Sequence, residues 1–247
     1  MENQIGVFRG RKTIQRSGSV GGSRAVFVKL QQNGNQLIYP TFGGFIKNPF
    51  RGSAKFFAGD LMWYKTDENG VHPEVYILKT YEVVSASGTT INILNDGYKH
   101  KPFVGDKLGV APEEIGGEMT AYTVVAVANA TVEGKKVWAV TFDVAVTTAE
   151  GDETEEEGDV LAEAGDVLVE ADEEGTMLVK AINAVSPTDN DMLDAPAEDD
   201  EDFDNARYSF TPALGGLMYT NKMSPLPACV KALNKSDVNG WFKVQAV

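Results

Sequence analysis

Phe57-Ala58-Gly59-Asp60-Leu61-Met62-Trp63-Tyr64 is the stretch that decides the fold. A small residue, a glycine and an aspartate run straight into an apolar, aromatic segment. The same order returns in Val104-Gly105-Asp106-Lys107-Leu108-Gly109-Val110 and in Ala164-Gly165-Asp166-Val167-Leu168-Val169-Glu170, with a weaker copy in Gly158-Asp159-Val160-Leu161. Glycine takes positive φ at little steric cost, and aspartate hydrogen-bonds nearby backbone, so each copy predicts a turn. The branched and aromatic residues that follow suit a half-buried pleated surface, so each turn leads into a strand. Uneven spacing between the copies excludes a solenoid or propeller, which need a fixed period. The expected body is mainly β, a small barrel or sandwich.

Around these turns the chain divides into four segments. Residues 1–55 form a basic N-terminal arm with a hairpin and a connector. Residues 56–185 form the β-domain, 186–205 an acidic loop, and 206–247 a strand-helix-strand segment. Within the β-domain, Val75-Tyr76-Ile77-Leu78 runs towards Tyr81-Glu82-Val83-Val84 as one long strand or two strands with a bulge. Thr89-Thr90-Ile91-Asn92-Ile93-Leu94 alternates after a Ser87-Gly88 turn. Residues 122–127 and 136–142 read as a hairpin across Glu133-Gly134, and residues 167–170 and 177–180 as a last pair around Gly175. Helical periodicity is nearly absent until Ser224-Pro225-Leu226-Pro227, where Ser224 is the expected cap of a short helix over residues 228–234. Cys229 is expected on its buried side, as a structural thiol. The periodic strands and turns predict a body that folds when the chain is started near Ser53.

Upstream, residues 25–39 read as a hairpin about Asn33-Gly34. The connector that follows carries Phe42, Phe45 and Phe50, too many apolar anchors for a solvated linker, so it should pack against something. Residues 1–24 hold Arg9, Arg11, Lys12, Arg16 and Arg24 among glycines and serines. Such a segment cannot bury enough surface to offset the entropy of its own ordering, so it reads as an arm that becomes ordered on a partner.

Charge sharpens this division. The 247-residue chain has a net charge of −14, yet residues 1–55 hold nine Lys or Arg against Glu2 alone. Residues 150–204 hold about twenty-two acids against Lys180. An acidic chain argues against general nucleic-acid binding. A single cysteine excludes an intrachain disulfide. No run of about eighteen apolar residues predicts a membrane span, and the first residues lack a signal-peptide layout. The expected protein is soluble, and made and used without signal-dependent export.

Signs of catalysis are sparse. His72 and His100 both read as exposed turn residues, and Lys99 and Lys101 disfavour a charged His100. Neither has a cysteine neighbour or metal-ligand spacing. Phosphate loops, dinucleotide fingerprints and serine elbows are missing. Asp189, Asp191 and Asp194 offer hard oxygen ligands but lack the calcium-loop pattern. The sequence therefore predicts no metal, no cofactor and no catalytic residue. A glycosidase-like carboxylate pair stays open, since two carboxylates need only be near in space.

Several strings together resemble a known family. They are Ala58-Gly59-Asp60-Leu61, Asn95-Asp96-Gly97-Tyr98-Lys99-His100-Lys101-Pro102-Phe103-Val104-Gly105-Asp106, Ala164-Gly165-Asp166-Val167-Leu168-Val169-Glu170-Ala171, Ala206-Arg207-Tyr208-Ser209-Phe210-Thr211-Pro212-Ala213-Leu214 and Lys222-Met223-Ser224-Pro225-Leu226-Pro227-Ala228-Cys229-Val230-Lys231-Ala232-Leu233-Asn234-Lys235-Ser236. In this order they resemble head fibre and capsid auxiliary (decoration) proteins of tailed phages of gut bacteria, over roughly residues 56–247. The resemblance implies a non-enzymatic virion protein on the capsid exterior, cementing capsomers or anchoring a head fibre. Its partners would be the major capsid protein, other head fibre or auxiliary proteins, and further copies of itself. The residues expected to meet the capsid are Arg9, Arg11, Lys12, Arg16, Arg24, Phe42, Phe45 and Phe50. Two rivals from other classes are a carbohydrate-binding module using Trp63, Tyr64, Tyr98, Trp138 or Trp241, and a glycan-cleaving enzyme.

Overall fold

The computed structural model describes residues 40, 43–48, 54–66, 73–95, 100–144, 162–187, 190–192, 209–214, 216–219, 225–232 and 242–245. The basic arm, the 25–39 hairpin, the Gly158-Asp159 copy and most of the acidic loop lie outside these residues.

The chain is mainly β, as expected, and the described residues build a small closed barrel together with a second, five-stranded sheet. A six-stranded closed barrel takes β5 (Thr80–Ser87), β6 (Thr90–Leu94), β7 (Lys107–Val110), β8 (Tyr122–Val132), β9 (Lys135–Phe142) and β10 (Val167–Glu170), in the order β10-β5-β6-β9-β8-β7. A five-stranded sheet takes β1 (Gly44–Ile46), β3 (Leu61–Lys65), β4 (Glu74–Ile77), β11 (Ala184–Val185) and β13 (Ser209–Phe210), in the order β11-β3-β4-β1-β13. Two small pairs complete the strands. β12 (Asn190–Met192) pairs with β2 (Ala54–Phe56), and β14 (Gly216–Tyr219) pairs in parallel with β15 (Phe242–Gln245). Among the described residues one short helix, α1 (Ala228–Ala232), lies near the C-terminus.

Alternation along the strands fills the barrel. Tyr81 and Val83 of β5, Ile91 and Ile93 of β6, and Trp138, Val140 and Phe142 of β9 share one core with Leu108, Val124 and Leu168. β10 departs from alternation because it is buried on both faces. Leu168 points into the barrel, while Val169 joins a second core with Leu61, Leu78, Met177, Val185, Cys229 and Val230. That second core joins the barrel to the five-stranded sheet, where apolar burial is the main cohesive force. The other face of the sheet is covered around Met62, Val75 and Ile77.

The three Gly-Asp turns are one device used three times. Gly59, Gly105 and Gly165 take φ of 92°, 90° and 99°. The amides of Asp60, Asp106 and Asp166 donate to the carbonyls three residues back, at Phe57, Phe103 and Glu163. This is the type II pattern, with glycine where φ must be positive. Each aspartate then closes its turn a second time. Oδ2 of Asp60, Asp106 and Asp166 accepts from the amides of Phe57, Phe103 and Glu163 at 2.6, 2.8 and 2.8 Å.

Each turn also grips one residue of a neighbouring segment. The glycine amide donates to its carbonyl, and the aspartate carbonyl accepts from its amide. The gripped residues are Ser186, Val124 and Val83. The turns thus fix register as well as direction. The first leads into β3 of the sheet, the other two into β7 and β10 of the barrel.

Four local expectations change. The 75–84 run breaks at Leu78-Lys79, because β4 belongs to the sheet and β5 to the barrel. Residues 177–180 form no strand; a single bridge, Ala171 to Met177, replaces the expected pair. In α1 the amides of Val230 and Lys231 donate to the Pro227 carbonyl, which puts the helix start at Pro227 rather than Ser224. Finally, β1 lies upstream of Ser53, and Ile46 and Asn48 are buried, so a chain started there would lose part of the sheet. Within the connector Ile46 and Asn48 are buried and Phe45 is half-buried, while Phe42 and Phe50 lie outside the described residues.

Other readings hold. Glu133 and Gly134, with φ of 50° and 78°, make the tight hairpin turn between β8 and β9. Cys229 is buried, and burial raises its thiol pKa.

Candidate functional site

On the β3-β4-β1 side of the sheet, register gathers six side chains on one face. Trp63 pairs with Tyr76, and Lys65 with Glu74, across β3 and β4. Phe45 pairs with Glu74 across the parallel β1-β4 contact, and Lys47 follows two residues later. Side chains alternate along a strand, so these six point the same way. The rings of Trp63 and Tyr76 stack at 5.0 Å with 28° between planes, and Lys65 Nζ sits 5.5 Å from the Trp63 ring. Glu74 takes both lysines, Lys47 at 3.5 Å and Lys65 at 3.6 Å. The Tyr76 hydroxyl also donates to Glu74, at 3.0 Å. Burial, then this hydrogen bond and the Glu74 charge, push the Tyr76 pKa up to about 12. The patch is aromatic at the end resting on the inter-sheet core, and charged, with one net positive charge, where Lys65 and Lys47 reach solvent.

Beneath the patch lies a buried polar joint. Lys79 sits in the two-residue crossing from sheet to barrel, and Glu170 ends β10. Lys79 Nζ donates to Glu170 Oε1 at 2.5 Å, with side chains only 2% and 5% exposed. Asn48, just past β1, completes the joint. Its amide nitrogen donates to Glu170 Oε2 and to the Ile77 carbonyl, both at 2.8 Å, and its amide oxygen accepts from the Ile77 amide. Asn48 therefore meets both main-chain groups of Ile77, as another strand residue would, and continues the β1-β4 ladder by one step. A buried charge pair is costly unless hydrogen bonds complete it, and here Asn48 supplies them. Nearby, burial and then the charges of Glu170 and Asp106 hold the Tyr81 hydroxyl well above its usual pKa.

A third feature corrects the reading of His100, which is buried, not exposed. Its ring lies 5.6 Å from that of Phe57, and Nε2 is 3.0 Å from Asp60 Oδ2 without the alignment of a hydrogen bond. The segment before β7 thereby packs on the turn that leads into β3.

Of the residues expected to meet a partner, Phe45 falls in the described part and is half-buried. Arg9, Arg11, Lys12, Arg16, Arg24, Phe42 and Phe50 lie outside it. Of the proposed sugar platform, Trp138 is a barrel-core residue, which removes it from any surface. Tyr64 packs on the Met62 core, and Trp63 is stacked by Tyr76 and capped by Lys65. Tyr98 and Trp241 lie outside the described residues. Among the described residues no group of three acidic, histidine or cysteine side chains is gathered to hold a metal ion, and no helix is long and apolar enough to cross a membrane.

Sequence reading missed Lys79 and Glu170 as partners. The available signal was a lysine inside the apolar run Ile77-Leu78-Lys79-Thr80-Tyr81 and a glutamate closing Val167-Leu168-Val169-Glu170. Comparison with known proteins adds nothing to these observations, because no family model, curated protein or solved structure matches the chain.

Proposed function

We propose that this protein is a structural component of a phage virion, bound to the capsid exterior, where it cements capsomers or anchors a head fibre. The reading starts from the ordered strings of residues 56–247 that resemble head fibre and capsid auxiliary proteins. The structural observation that carries it furthest is β1. The strand that follows the basic segment is fastened into the sheet, with Phe45 and Lys47 on the same face as Trp63, Tyr76 and Lys65. The residues ahead of β1 hold six Lys or Arg, and β1 fixes their C-terminal end next to an aromatic, locally positive patch. Protein surfaces of this composition work through aromatic anchors and charge matching rather than a pocket. A carbohydrate-binding reading draws on Trp63 and Tyr76, but those rings are already spent on each other and on Lys65.

The test is occupancy on bare capsids, by co-sedimentation and cryo-EM. The full chain is compared with a deletion of residues 1–24 and with Arg9, Arg11, Lys12 and Arg16 all changed to Ala. The deletion is expected to lose most of its occupancy. The quadruple variant should lose less, and lose it chiefly at low salt, where exposed charge pairs act at longest range. Full occupancy of the deletion would overturn attachment through the arm. Absence of the protein from purified virions would overturn the whole assignment.

A further inference from the structure

β8 runs for 11 residues without a charged side chain, in a chain whose net charge is −14. On one side it pairs with β9 from Val124 to Val132. On the other side β7 meets it only at Tyr122 and Thr123, and the Gly105-Asp106 turn takes the main-chain groups of Val124. From Val125 to Val132 no strand among the described residues pairs with that side. The side chains of Val125, Ala126, Ala128, Asn129 and Thr131 are exposed, Val125 by 47%. The two-residue turn at Glu133-Gly134 sets the phase of the ladder. Val132, Ala130 and Ala128 turn their main-chain groups to β9, while Thr131 and Asn129 turn theirs outward.

We infer that this edge is where two copies of the chain join, β8 running antiparallel to β8 about a two-fold axis close to Asn129. Three observations lead there. Outward main-chain donors and acceptors are matched by another strand and by little else. Residues 125–132 hold no lysine or proline to blunt the edge, and the one irregularity of the ladder, between Val124 and Ala126, lies at the end of the open stretch. Charge then selects the partner strand. Copies of −14 each repel one another except where a surface is neutral or basic. β8 is neutral, and its hairpin carries Glu133 against Lys135 and Lys136. A two-fold contact brings identical residues together, so a strand without charge is compatible with itself. The Gly105-Asp106 turn blocks sliding past Val124, which leaves Asn129 near the centre of the open stretch.

The inference does not depend on capsid attachment and is tested on the purified full chain alone, by sedimentation equilibrium. A monomer–dimer equilibrium is expected. Asn129→Lys and Asn129→Asp should each weaken it roughly fivefold, the scale of one repulsive cross-strand pair. Both should leave the melting temperature of dilute monomer unchanged, because the side chain is exposed. An equimolar mixture of the two variants should regain wild-type affinity, since opposite charges then meet at the axis. A wild-type chain that sediments as a monomer throughout, variants that dimerise as well as wild type, or a mixture no tighter than either variant would each overturn the inference.

Discussion

Changing Glu170 to Gln tests the joint between barrel and sheet. The substitution keeps the shape but removes the charge that faces Lys79 Nζ at 2.5 Å and Asn48 Nδ2 at 2.8 Å. Both members of the ion pair are at most 5% exposed. At an effective dielectric of about 20, opposite charges some 3 Å apart attract by roughly 5 kcal/mol, a gain that desolvation of the two ions largely offsets. Losing one partner forfeits the attraction while the other ion stays desolvated, so the expected destabilisation is about 3–5 kcal/mol. Lys79→Met should cost a similar amount. The pair Lys79→Met with Glu170→Met removes both charges and fits the surrounding apolar core, so it should return to within about 2 kcal/mol of wild type. Urea unfolding of wild type, Lys79→Met, Glu170→Met and the double variant gives the cycle, and its coupling energy should reach about 3 kcal/mol. Single substitutions costing under about 1 kcal/mol, or a double variant equal to their sum, would refute a dry joint and mean that water reaches the pair.

Four further outcomes follow from the same geometry. Asp60→Ala and Asp106→Ala should each destabilise by about 1.5–3 kcal/mol, the worth of a buried hydrogen bond to a charged acceptor, and Asp166→Ala by less because its turn is more exposed; equal losses in thermal melts would contradict this ranking. Burial works against ionisation of Asp172, but hydrogen bonds from Lys180 and Thr176 outweigh it and pull its carboxyl down to about 2, from an ordinary 3.8. A depressed folded pKa stabilises above the ordinary value, so Asp172→Asn should lose about 1 kcal/mol at neutral pH, with a gap to wild type that closes as pH falls from 4 towards 2; a gap constant over that window in urea titrations would be inconsistent with the depressed pKa. Gly109→Ala should prevent barrel formation, since a Cβ there would lie 2.1 Å from the Thr120 carbonyl oxygen; a folded variant with native near-ultraviolet dichroism would show that the chain can shift. Cys229 should react with a thiol reagent only as fast as the native state opens, because the thiol is buried and its pKa raised; rapid labelling without denaturant would place it at the surface.

By itself the sequence determined the turns and the strands they launch. A glycine at positive φ and an aspartate closing on the amide three residues back are contacts within four residues, so Phe57 to Asp60, Phe103 to Asp106 and Glu163 to Asp166 carry their own instructions. The Glu133-Gly134 hairpin is equally local, and the mainly β class follows from such pieces. Which strands would share a sheet was not written locally. Ile77 and Tyr81 are near neighbours and both large and fully buried, yet one belongs to the sheet and the other to the barrel. That division depends on where β10 and β1 arrive from distant parts of the chain. Lys79 meets Glu170 across 91 residues and Asn48 meets it across 122. Only folding places those side chains within hydrogen-bond reach, and only the burial that results makes their charge and polarity matter. His100 shows the same limit: its neighbours in sequence, Lys99 and Lys101, suggested solvent, while Phe57 and Asp60, some forty residues away, bury it. Hydrogen bonds across a turn are selected by the residues that make it, whereas contacts across a core are selected by everything that must fit there at once.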